Sequence, residues 1–96
     1  MTKEEYLEIE DEIQDINFKI YECTIELKGL KRFLDYLQNV YAKTDENAEA
    51  IETTKKAIEK KETYIRLLKK EQSYYQDYAL YYLEFEDEEV KKNEGI

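Results

Sequence analysis

Residues 6–41 read YLEIEDEIQDINFKIYECTIELKGLKRFLDYLQNVY. Within them Tyr6, Ile9, Ile13, Ile16, Ile20, Cys23, Leu27, Leu30, Leu34, Leu37 and Tyr41 follow one another at alternating spacings of three and four. Only the two ends and Cys23 are not aliphatic. An α-helix turns once per 3.6 residues, so this spacing gathers the apolar side chains into one stripe, the seam of a coiled coil. A stripe that long has to be covered by another helix. At about 1.5 Å per residue the pattern predicts a rod of roughly 60 Å.

The first helix is expected over about 3–41. Thr2 and Glu5 stand at capping-box spacing, and Glu4 and Glu5 suit the positive end of the helix dipole. Gly29 interrupts the run. It reads as an outward-facing glycine that costs about 1 kcal/mol against alanine, with a mild bend as the alternative. Residues 42–47, AKTDEN, form the turn, because Thr44, Asp45 and Asn47 each have a short polar side chain able to cap a new helix. Short connections make antiparallel neighbours. A single unbroken helix would need a separate partner along its whole length.

The second helix is expected from about Asp45 or Glu46 to about Val90, with a frayed tail over 91–96. Its seam continues as Ala48, Ile51, Thr54, Ile58, Lys61, Ile65, Leu68, Gln72, Tyr75, Ala79, Tyr82 and Glu86, broadened by Ala50, Ala57, Tyr64, Tyr78 and Phe85. Ala and Thr near the turn would face bulky Phe33, Leu34, Leu37, Val40 and Tyr41, the size complementarity that close packing needs. The fold class that follows is all-α. Two long antiparallel helices form a coiled-coil hairpin, one domain over 1–96, assembling into a four-helix bundle or an extended dimer.

Composition agrees with little loop. The 96 residues include no Pro and two Gly, and 24 acidic residues against 15 basic give a net charge of -9. That sign disfavours nucleic acid and anionic membrane as direct partners and suits a basic protein surface. No apolar run is long enough to span a bilayer. The acidic start, MTKEEYLEIEDE, lacks a signal-peptide pattern. A cytoplasmic location is therefore the expectation (the host cytoplasm for a phage-encoded chain), with export by a route that reads a folded or C-terminal signal left open. Cys23 is alone on the seam, which points to a buried thiol and to no internal disulfide.

The chain carries more apolar surface than one hairpin buries. Phe18, Tyr21 and Ile25 lie across the first helix from its seam, and Leu67, Tyr74, Tyr78, Tyr81 and Phe85 widen the apolar arc of the second. Side chains on opposite sides of a helix cannot all meet one neighbour, so self-association or another protein has to cover them. A homodimer is the simplest assembly. Five of the ten tyrosines crowd into Tyr74, Tyr75, Tyr78, Tyr81 and Tyr82. Tyr supplies broad amphipathic contact at little rotamer cost. Whether this cluster is packing face or interface stays open at this level.

Acidic residues gather at both ends, including Glu84, Glu86, Asp87, Glu88 and Glu89, while Lys55, Lys56, Lys60, Lys61, Arg66, Lys69 and Lys70 occupy the middle of the second helix. A hairpin folds the two acidic ends together, opposite the turn. Such an end steers toward a Lys- and Arg-rich groove, and in its sharpest form mimics nucleic acid. The candidate partner-binding residues are thus Phe18, Tyr21, Ile25, Tyr74, Tyr78, Tyr81, Glu84, Glu86, Asp87 and Glu88. Catalysis is not expected. The chain has no His to act as acid or base, one Cys where a thiolate zinc site needs more, and no glycine-rich phosphate loop. No catalytic residue, metal ligand or cofactor is assigned.

Tyr82-Leu-Glu-Phe-Glu86 matches a Tyr-x-x-x-Asp/Glu signal, and length, hairpin plan, central turn and acidic balance resemble the WXG100-like helical hairpins of Gram-positive type VII secretion. AKTDEN stands where that group carries Trp-x-Gly, and this chain has no Trp. The resemblance implies a secreted partner or targeting factor for a larger toxin, with Tyr82 and Glu86 in the signal. The residues themselves lead first to an acidic, non-enzymatic helical module that binds protein. Next come a phage-type inhibitor that blocks a basic nucleic-acid-binding surface, the secretion role and a structural spacer.

Overall fold

The computed structural model describes residues 2–39 and 44–94, with side chains for 2–39 and 44–83. It is a hairpin of two helices, α1 over Lys3–Asn39 and α2 over Asp45–Glu94. The molecule is a rod of 79 × 17 × 15 Å. Val40, Tyr41, Ala42 and Lys43 lie outside the described residues, as do the last two of the chain.

Both helices begin where a threonine stops the backbone from fraying. The first N–H groups of a helix have no partner within it, and a hydroxyl one turn earlier supplies one. Glu5 N–H donates to Thr2 Oγ1 at 3.2 Å and Tyr6 N–H to the Thr2 carbonyl at 3.1 Å. At the second start Asn47 N–H donates to Thr44 Oγ1 at 3.2 Å and Ala48 N–H to the Thr44 carbonyl at 2.9 Å. Of the three capping candidates in the turn, Thr44 takes the role. At the other end α2 runs past the expected stop near Val90 as far as Glu94. Nothing between Val90 and Glu94 breaks a helix; Gly95 is the first residue that favours a stop.

Contacts between the helices fix an antiparallel register. Tyr6 stacks on Tyr82 with ring centroids 4.7 Å apart, Gln72 donates to Asn17, Lys61 meets Glu26, and Lys31 pairs with Glu62 at 3.4 Å. As α1 is followed toward the turn, its partners step back along α2 toward the turn as well. Exposed ion pairs of this kind align helices more than they stabilise them, because water screens them.

The interior follows the 3-4 spacing. Ile16, Cys23, Ile65 and Leu68 form the buried cluster, with Ile20, Leu27 and Tyr75 packed against it. Ile16 is 1 % exposed, and burying an aliphatic side chain of that size contributes about 1.5–3 kcal/mol. Toward the turn, Leu37 and Thr54 are buried and Ala50 and Ala57 half-buried. The Thr54 hydroxyl is satisfied by its own helix, donating to the Ala50 carbonyl at 2.7 Å.

Three expectations need correction. Ala48 is exposed, and Asn47 takes the inward place. The reason is a hydrogen bond: Asn47 Nδ2 donates to the Leu37 carbonyl at 3.1 Å, in the last described turn of α1, where helix carbonyls run out of donors within the helix. Phe33, expected to pack on small residues of α2, is half exposed. Tyr64 and Tyr78, expected to broaden the inner seam, are exposed at 45 % and 47 %, because the inner face is already filled by Ile65, Leu68 and Tyr75. Gly29 has open space around the position of a Cβ and an ordinary helical backbone.

Candidate protein-binding surface

The tyrosine cluster is divided by helix position. Tyr75 and Tyr82 stand on the inner stripe and are half-buried, one against the core and the other stacked on Tyr6. Tyr74, Tyr78 and Tyr81 point away and are exposed. The rings of Tyr74 and Tyr75 meet edge to face at 5.5 Å, and those of Tyr74 and Tyr78 lie tilted at 6.0 Å. Inner Tyr75 thus supports outer Tyr74, which in turn meets Tyr78, without removing either outer ring from water.

Leu67 is 57 % exposed on the same side of α2. Two shallow grooves run along this side. One is lined by Tyr64 and Leu67 with Lys56, Glu59, Lys60 and Thr63, the other by Tyr74, Asp77, Tyr78 and Tyr81. The apolar walls with charged rims have the layout of a protein-contact surface. Tyr64 was not among the residues assigned to partner binding from sequence. Reading a second row at alternating three and four, through 64, 67, 71, 74, 78 and 81, would have found it.

On α1, Phe18, Tyr21 and Ile25 are each more than half exposed. They lie on the face away from the inner stripe, so the structure does not bring them together with the α2 row. A third groove, at the open end of the hairpin, lies between Glu10, Ile13 and Gln14 of α1 and Gln76, Ala79, Leu80 and Leu83 of α2. Leu80 and Leu83 fall outside both 3-4 rows, so the sequence pattern gave no signal for them.

The charges are distributed as two zones. Glu4, Glu5, Glu8, Glu10, Asp11 and Asp15 are exposed near the start of α1, and Lys55, Lys56, Lys60, Arg66, Lys69 and Lys70 are exposed on α2. The side chains of Glu84, Glu86, Asp87 and Glu88 lie outside the described residues. Lys61 is an inward exception, half-buried and bonded to Glu26 at 2.5 Å; that hydrogen bond holds its ammonium above the ordinary lysine value, against the opposing effect of burial. Lys19 is raised in the same direction by its hydrogen bond to Asp15 and by that carboxylate's charge.

Among the described residues no group of three or more His, Cys, Asp or Glu side chains could hold a metal ion, and no helix is long and apolar enough to cross a membrane. Cys23 is a buried free thiol. Tyr82 lies inside α2, well before its end at Glu94, whereas the secretion signal it resembles follows the second helix. Comparison with known proteins finds no family model, no curated sequence and no solved structure that matches this chain.

Proposed function

We propose that this chain acts by binding protein rather than by catalysis, and that the tyrosine-rich side of α2 is its principal contact surface. The observation that carries the reading is the exposed row of Tyr64, Leu67, Tyr74, Tyr78 and Tyr81, each between 45 % and 63 % accessible on a rod whose inner seam buries Ile16, Cys23, Leu37, Ile65 and Leu68. Packing inside the hairpin does not account for five large side chains on the outside of one helix. Tyrosine is the residue type that concentrates binding energy at protein interfaces while tolerating water in the free state. The coiled-coil character of the hairpin makes a further helix the natural form of the covering element. Phe18, Tyr21 and Ile25 offer a second, smaller contact on α1, and the acidic open end favours basic partners over acidic ones by long-range attraction.

The test is affinity capture from the native host with the wild-type chain and with Tyr74→Ser/Tyr78→Ser, each checked by circular dichroism. The expected result is a protein retained by the wild type and lost from the variant at unchanged helicity. Identical retained sets for the two chains would sink the reading.

A further inference from the structure

We infer that the outer row of α2 pairs with the same row of a second copy of this chain, the two α2 helices running in opposite directions. The inference rests on the reading of that row as a contact surface and names its occupant.

Tyr64, Leu67, Glu71, Tyr74, Tyr78 and Tyr81 are separated by three, four, three, four and three residues. This is the spacing of a second helical seam, displaced around α2 from the one that meets α1. All six are exposed, and the two grooves along this side are the kind of hollows into which side chains of a facing helix insert. A row of this form is self-complementary under a two-fold axis, the commonest symmetry of soluble assemblies.

Charge sets the direction. On the flank of the row away from α1, Thr63, Lys70 and Asp77 stand at intervals of seven, a cation followed by an anion at its C-terminal half. Parallel copies would bring this flank against the side of the other copy's α2 that already faces its own α1, with Leu68 and Tyr75. Antiparallel copies set unlike charges together. With the two-fold axis between Gln72 and Ser73, Tyr64 of one copy lies opposite Tyr81 of the other and Leu67 opposite Tyr78. Glu71 then faces Tyr74, whose hydroxyl donates to its carboxylate, and Lys70 faces Asp77. Each of these contacts occurs twice, once on either side of the axis. The α1 stripe of Phe18, Tyr21 and Ile25 stays outside this contact and is left for a different protein.

Sedimentation equilibrium over the micromolar range tests the pairing. The wild type is expected at twice the 11.7 kDa of one chain. Leu67→Glu is expected at the single-chain mass with unchanged helicity, since Leu67 already stands in water within one hairpin. Lys70→Glu and Asp77→Lys are each expected to weaken association about three- to tenfold, and the double variant to restore it, because only antiparallel copies join these two positions. A wild type that stays monomeric overturns the inference, as does a dimer that survives Leu67→Glu or one that is split by Phe18→Asp instead. The two readings fail separately. A monomeric wild type leaves the capture result standing, whereas identical capture by wild type and Tyr74→Ser/Tyr78→Ser removes the contact-surface reading whatever the mass.

Discussion

α1 and α2 fill their inner stripes differently, although both leave large side chains outside, Phe18, Tyr21 and Ile25 on α1 among them. The inner stripe of α1 is Ile9, Ile13, Ile16, Ile20, Leu27, Leu30, Leu34 and Leu37 with one cysteine, all buried or half-buried. The inner stripe of α2 admits Thr54, Lys61, Gln72 and Ala79, while Tyr64, Leu67, Tyr74, Tyr78 and Tyr81 stand outside. A chain selected only for a stable hairpin has no reason to place its bulkiest residues in water and a threonine, a lysine and a glutamine against its partner helix. The contrast puts the continuous aliphatic stripe on α1, and it suits the proposed contact surface on the flank of α2.

The largest effect expected is on the inner side. Ile16→Ala removes the best-buried side chain among the described residues and should lower unfolding free energy by about 2–5 kcal/mol in urea titration, the range for aliphatic truncation in a closed core. Its counterpart Leu67→Ala, measured at concentrations too low for association, should change the same quantity by no more than about 0.5 kcal/mol. Equal costs at the two positions would erase the distinction between the two faces. Asn47→Ala should cost about 1 kcal/mol, because the Leu37 carbonyl loses its donor in a buried place. Gly29→Ala works in the other direction. With nothing near the new methyl group and a helical backbone already in place, a gain of about 0.5–1 kcal/mol in thermal stability is expected. The smallest effect belongs to Lys61. Its raised pKa means that the Glu26 pair stabilises the fold fully below the ordinary lysine value of 10.5 and is lost as pH rises through the raised value. Melting curves on either side of that value should differ for the wild type by a step that Lys61→Met lacks.

Much of this architecture is legible from residue spacing, and the reason is geometric. A helix has one repeat, so Ile9 through Leu37 at three and four residues leave no other arrangement that covers them together. The turn is legible because threonine ahead of a polar first turn has one good use. The start of α2 sets residue type against spacing. Strict alternation back from Ile58 through Thr54 and Ile51 lands on Asn47, whereas Ala48 is the more apolar residue, and the bond from Asn47 to the Leu37 carbonyl goes with the spacing. The outer tyrosines are equivocal for a related reason: Tyr75 and Tyr78 are three residues apart and chemically identical, and their different surroundings follow from where Ile65 and Leu68 already sit. The groove formed by Leu80 and Leu83 with Ile13 depends on two helices at once, so no reading of one helix finds it.

One more property follows from the single buried amide near the turn. A seam that repeats every seven residues can slide by that interval and still set aliphatic against aliphatic, so the stripe alone permits several alignments. Shifting α2 along α1 by one repeat would part Asn47 from the Leu37 carbonyl. The amide therefore acts as a detent at the turn, alongside the Tyr6–Tyr82, Gln72–Asn17 and Lys61–Glu26 contacts farther along the rod.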